Sequence, residues 1–114
     1  MKRTICLSLS AAVSLLAAAT LACAPAMAQD VKAGRAKASV QCAVCHGQAG
    51  IAELPTAANL AGQQEIYLAK ALEDFRSGKR VNEMMTVVSK GLSDADIADL
   101  AAWYASIKIT VETP

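Results

Sequence analysis

Cys42 and Cys45 stand three residues apart, and His46 follows the second thiol directly. Two thiols one helical turn apart can add across the two vinyl groups of a porphyrin, while the adjacent imidazole reaches its metal. Cys-x-x-Cys alone is also a redox dithiol, half a zinc site or a disulfide, so the histidine decides. A structural zinc site needs about four protein ligands. The chain has a single histidine. A thioredoxin-like dithiol would need strands alternating with helices, and no convincing strand pattern occurs. The run Cys42-Ala43-Val44-Cys45-His46 therefore predicts one covalently attached haem c, with Cys42 and Cys45 as its thioether anchors and His46 as the proximal iron ligand.

His46 would bind iron through one ring nitrogen. The other N–H then needs an acceptor, expected to be a backbone carbonyl between Pro55 and Ala58. With no second histidine, the sixth iron position is open to a lysine or, better, to a soft neutral thioether, which favours ferrous iron and raises the potential. Met84 and Met85 are the candidates. Both follow Asn82 on a glycine-flanked segment, far enough from Cys45 to cross the opposite haem face. Only one can be the ligand, and the other is a core filler, the usual role of methionine; spacing does not choose.

The elements that position these residues begin after a leader. Lys2 and Arg3 precede an apolar run from Ile5 to Leu21 and then Ala26-Met27-Ala28, a small-x-small cleavage site. Residues 1–28 are expected to be a cleaved secretory signal peptide and residues 29–114 one domain, placing the product in the periplasm. A retained anchor would want about twenty apolar residues, and Thr20-Leu21-Ala22-Cys23 is a poor lipoprotein signal. Cleavage removes Cys6 and Cys23 and leaves Cys42 and Cys45 as the only thiols. In an oxidising compartment these two would otherwise form a disulfide. Taking Lys2 and Arg3 from eleven basic residues leaves nine against ten acidic ones, so the domain is near −1. Nucleic-acid binding would need a dense basic face. A small domain with 4% aromatic residues is short of apolar mass, which a bulky prosthetic group would supply.

The pattern beyond Gln29 is helical almost throughout, predicting an all-α domain of three to five helices around the haem. A first helix is expected from Val31 to Ala43, with Val31, Gly34, Ala38 and Gln41 on one face. Gly34 costs about 1 kcal/mol of helix propensity, which points to a close backbone approach. Residues 47–62 lack a period and read as a loop wrapped over something. A helix follows from Gln63 to Ser77, with Ile66, Ala69, Leu72 and Phe75 at three-residue steps and Leu68 beside them, stopped by Gly78. Asn82 is a candidate N-cap for a short segment ending at Lys90-Gly91. Ser93-x-x-Asp96 has the form of a capping box, and Ile97, Leu100, Tyr104 and Ile107 give the last helix, Asp94 to Ile107, an apolar stripe.

The haem motif, Asn59-Leu60-Ala61-Gly62-Gln63, Asp74-Phe75-Arg76-Ser77-Gly78-Lys79-Arg80, Met84-Met85 and Leu92-Ser93-Asp94-Ala95-Asp96-Ile97 together resemble the small bacterial class I cytochromes c. The similarity runs from Gly34 to about Ile107, and within the family it is to the group found singly or as fused two-haem tandems. It implies the class I fold, with first and last helices crossing at Gly34 and Ala38 against Leu100 and Trp103. In this group the ligating methionine lies eight residues before the serine that starts the last helix, which gives Met85, with Met84 as the alternative. A proline often stands where this chain has Ala58; only its carbonyl, which holds the proximal histidine, is required. Tyr67 matches an aromatic position near the haem, or is a plain core tyrosine.

The resemblance implies a monohaem carrier that passes single electrons between redox partners as iron cycles between Fe(III) and Fe(II), without substrate turnover. It is expected to be a monomer with a donor and an acceptor, no nucleic acid and no stable membrane insertion. Arg76, Lys79, Arg80 and Lys90 are candidates for a docking edge, or simply a solvated face. The alternatives are a haem-based small-ligand sensor, disfavoured by the lack of a distal acid or base, and a haem subunit of a larger oxidoreductase.

Overall fold

Asp30 opens the first helix by accepting hydrogen bonds from the Lys32 and Ala33 amides, at 2.8 and 3.0 Å, which satisfies two of the donors that a helix start leaves bare. In the computed structural model, which describes residues 28–114, that helix is α1 (Val31–Gln41). The rest are α2 (Ala43–His46), α3 (Glu65–Ser77), α4 (Glu83–Lys90) and α5 (Asp94–Ser106). No strand occurs among the described residues, and the fold is all-α. Of the leader expected from the sequence, residues 1–27, with Cys6 and Cys23, lie outside the described residues.

The first helix stops short of its expected end. Cys42 takes φ −115° and ψ −30°, and the chain resumes as the single turn of α2, so the first thiol sits at the break. Gly34 is where α1 meets α5: a Cβ there would overlap the Asp99 carbonyl oxygen and lie 3.0 Å from Trp103 Cβ. The expected crossing is present, and close approach of two backbones explains the glycine. Ala38, Leu68, Leu92, Ile97, Leu100, Ala101 and Tyr104 form the buried core at this crossing, with Trp103 packed against it.

The last helix starts as its sequence predicts. Asp96 N–H donates to Ser93 Oγ and Ser93 N–H donates to Asp96, closing the capping box. Lys37 from α1 pairs with the same carboxylate at 2.8 Å. That hydrogen bond, followed by those from Ser93, holds the Asp96 carboxyl down to about 2.

The third helix keeps its expected face except at one residue. Leu68 and Phe75 are buried and Ala69 and Leu72 pack on the core, whereas Ile66 is 84% exposed. The inward stripe follows the 3.6-residue turn, and a further step of three back from Ala69 drifts off it. Gly78, at φ 81°, ends the helix as expected.

Candidate haem site

The segment between His46 and α3 is tied down by its own backbone. Glu53 N–H donates to Cys45 O at 2.9 Å, Leu60 and Ala61 N–H both donate to Gly50 O, and Gly62 N–H donates to Tyr104 O on α5. Asn59 fixes the loop from its side chain, accepting from Ala52 N–H at 2.7 Å. Gly50 permits this: it has φ 72°, and a Cβ would fall 2.8 Å from Ala61 N and 2.9 Å from the Tyr104 ring. The loop thereby brings the Ala58 carbonyl oxygen to 2.7 Å from His46 Nδ1. A carbonyl only accepts, so Nδ1 carries the proton and Nε2 keeps its lone pair. His46 is buried, and its ring orientation is set by a residue twelve positions away, at the end of the stretch named from sequence.

His46 is one wall of a cleft of about 550 Å³ that also includes Cys42, Cys45, Tyr67, Met84, Met85 and Tyr104. Apolar side chains from α3 and α5, among them Leu68, Leu72, Phe75 and Leu100, fill most of the remaining wall. Both thiols are free and half-buried. Burial pushes the Cys42 thiol up. Burial pushes the Tyr104 hydroxyl up as well.

The two methionines enter from α4, opposite the histidine in sequence and on a separate element. Asn82 caps that helix, its side chain accepting from Met84 and Met85 N–H at 3.1 and 3.0 Å. Met84 is 63% exposed, whereas Met85 is half-buried. Tyr67 lines the cleft and is 51% exposed, so it is not a core tyrosine.

The cleft fits a haem by the chemistry of its wall. It joins two thiols, an imidazole with one free lone pair and thioethers in an apolar cavity of a size usual for cofactors. It also contains a buried polar atom with no partner among the described residues, Tyr104 Oη, a group that needs an acceptor. No group of three or more histidine, cysteine or acidic side chains placed to hold a bare metal ion occurs among the described residues.

Sequence reasoning placed Tyr104 on an apolar stripe and missed its place in the cleft. The available signal was a hydroxyl on that stripe, one turn beyond Leu100, because a buried phenol seeks a polar neighbour. The four basic residues proposed as one edge are not equivalent. Arg76 is committed to Leu92 O and to Asp94, whereas Arg80, Lys79 and Lys90 are all exposed and of these only Arg80 lines the cleft.

Residues 29–103 match the family model described as cytochrome c oxidase, cbb3-type, subunit III. The chain is 48% identical over 84 residues to cytochrome c4 of Pseudomonas aeruginosa, covering 74% of this chain and 41% of that one. It is 42% identical over 82 residues to cytochrome c-554(548) of Halomonas halodenitrificans, covering 69% of this chain and 98% of that protein. Among solved structures it is similar to reduced recombinant cytochrome c4 from Pseudomonas stutzeri, with a TM-score of 0.66 and 39% identity over 74% of this chain and 48% of that one. The chain thus spans less than half the length of the cytochrome c4 relatives it matches.

Proposed function

The chain is a small bacterial class I c-type cytochrome, a member of the family described as cytochrome c oxidase, cbb3-type, subunit III, and on that premise we propose that it carries single electrons between redox partners in the periplasm. The observation that supports this most is the single cleft joining Cys42, Cys45 and His46 on one side to Met84 and Met85 on another element. Covalently bound haem c supplies reversible one-electron chemistry there.

The chain's own residues do the rest. Cys42 and Cys45 anchor the cofactor through thioether bonds. The Ala58 carbonyl fixes the tautomer and plane of His46 and raises its basicity toward iron. Met85, the more buried of the pair, would hold the iron together with His46, with Met84 at the exposed rim. Tyr67, which lines the cleft, would contact the cofactor. Two protein ligands would leave the iron no place for substrate and would keep reorganisation small. The one histidine of the sequence is spent on the iron, and no distal acid or base is assigned to chemistry on a substrate.

Residues 1–28 are proposed as a cleaved export signal and residues 29–114 as the working domain. The family match starts at residue 29, where the mature chain is expected to begin. No helix among the described residues is long and apolar enough to cross a membrane.

Mass spectrometry and redox titration of protein matured in a haem-attaching host test this reading. The expected result is the chain from Gln29 plus one haem, a reversible one-electron wave and little reaction of the ferrous protein with carbon monoxide. A bare chain mass removes the proposal; rapid formation of a carbonyl complex favours a ligand sensor instead. The family description favours one other reading, a haem subunit resident in a larger oxidoreductase. Co-purification at fixed stoichiometry in moderate salt would support that reading.

A further inference from the structure

We propose that Arg80 is the carboxylate-binding residue of the cleft, pairing with a propionate of the haem and holding it ionised; this rests on the haem reading above. The cleft is lined by one cation, Arg80, and one carboxylate, Glu83. A haem brings two carboxylates into mostly apolar surroundings, where an ionised group needs a partner. Arginine meets a carboxylate through two parallel N–H bonds and stays charged at any working pH.

Arg80 is exposed at the edge of the cleft, and both its backbone and its head are held in place. The left-handed Gly78 turns the chain back on α3, and Arg80 N–H donates to Asp74 O at 3.0 Å, which pins its backbone. Its guanidinium stands 4.6 Å from the centroid of the buried Phe75 ring, a cation–π contact that aims the charge along the cleft wall. The nearby carboxylate does not claim it: Asp74 pairs with Lys70, and Arg80 has no carboxylate partner among the described residues. By contrast, Arg76 on the same stretch is paired with Asp94.

The titratable groups facing the cleft are Cys42, Cys45 and His46 from the haem motif, Tyr67 from α3, Glu83 from α4 and Tyr104 from α5. On the Arg80 side Asp74, Lys70 and Lys79 stand close as well, and the Lys70 hydrogen bond most of all, with the charges of Lys70, Lys79 and Arg80, holds the Asp74 carboxyl low. Glu83 is the one carboxylate that the protein itself contributes to the cleft, which makes its removal the control for the propionate.

The test is the midpoint potential as a function of pH for the haem-loaded wild type, Arg80→Gln, Arg80→Lys and the double variant Arg80→Gln with Glu83→Gln. The wild type should be flat between about pH 5 and 8, because Arg80 keeps the propionate ionised in both iron states. Arg80→Gln should bind ferric iron's charge better, shifting the reduction equilibrium by about tenfold toward the oxidised form at the alkaline end. It should also acquire a pH-dependent stretch, with the potential falling as pH rises through the propionate's raised pKa. Arg80→Lys should restore most of the wild-type profile, and the double variant should retain the slope. A profile of Arg80→Gln that superimposes on the wild type overturns the proposal, as does a slope that vanishes when Glu83 is also removed. If Arg80→Gln does not accumulate, a sloping wild-type profile does the same. Wild type without covalent haem sinks the function reading itself, whereas an unshifted profile in loaded variants sinks the role of Arg80 alone.

Discussion

The histidine side and the methionine side of the cleft are built in different ways. His46 is buried, its ring is locked by the Ala58 carbonyl, and the loop that supplies that carbonyl is bonded to α2 and α5. Behind it α1 and α5 cross at Gly34 with backbone nearly touching backbone. The methionine side rests on α4, a helix of eight residues whose Val87 and Met84 are 69% and 63% exposed and whose start depends on the Asn82 cap. The histidine side is organised by the polypeptide itself. The methionine side has so little buried surface that a bond from sulfur to iron would contribute much of its order, since two turns of helix are marginal on their own.

That contrast predicts the largest cost at the crossing. Gly34→Ala should lower the stability of the loaded protein by on the order of 3 kcal/mol in thermal or denaturant unfolding, because its methyl overlaps the Asp99 carbonyl and must push two helices apart. A change below about 0.5 kcal/mol would mean that the crossing yields easily, and the contrast between the two sides would disappear.

Next in size is Met85→Ala, expected to cost about 2 kcal/mol, to lower the potential and to open the iron to imidazole or carbon monoxide, read by absorbance titration. Met84→Ala should be mild, since its side chain is mostly in solvent. The reverse pattern would move the ligand by one residue. Asn82→Ala should cost about 1 kcal/mol and speed hydrogen exchange in α4 before α5, because it strips the acceptor from the amides of both methionines.

The smallest effect concerns Asp96 and lies on the histidine side. Its folded carboxyl is held down to about 2 by Lys37 and Ser93, below the ordinary aspartate value. Its contribution is therefore complete above about pH 4 and is lost as pH falls toward 2. Asp96→Asn should flatten that part of the stability–pH curve while costing about 1 kcal/mol or less at neutral pH, measured by urea unfolding from pH 2 to 7.

The features most legible in the sequence were those with a local cause. Asn82 and Ser93 stand where a helix must begin, Gly78 where one must end, and Gly34 where a helix accepts a poor helix former for the sake of contact. Less legible was whatever depends on a partner distant in the chain. The break at Cys42 lies inside a run whose composition reads as continuous helix. The face of α3 was legible from Leu68 to Phe75 but was carried one step too far, to Ile66, because strict three-residue steps drift off the inward stripe. The place of Arg80 in the cleft was hidden because the turn at Gly78 and the Phe75 ring set it together. The resemblance, rather than spacing, singled out Met85, which is half-buried where Met84 is exposed.

The measurement that bears most directly on the account is proton NMR of the reduced, haem-loaded protein with the methionine methyls assigned through Met84→Leu and Met85→Leu. A methyl held against the porphyrin face is shifted far upfield by the ring current, and the account predicts that this resonance belongs to Met85 while the Met84 methyl stays near its usual position. A spectrum with no upfield methyl, or one whose upfield methyl disappears in Met84→Leu, contradicts it.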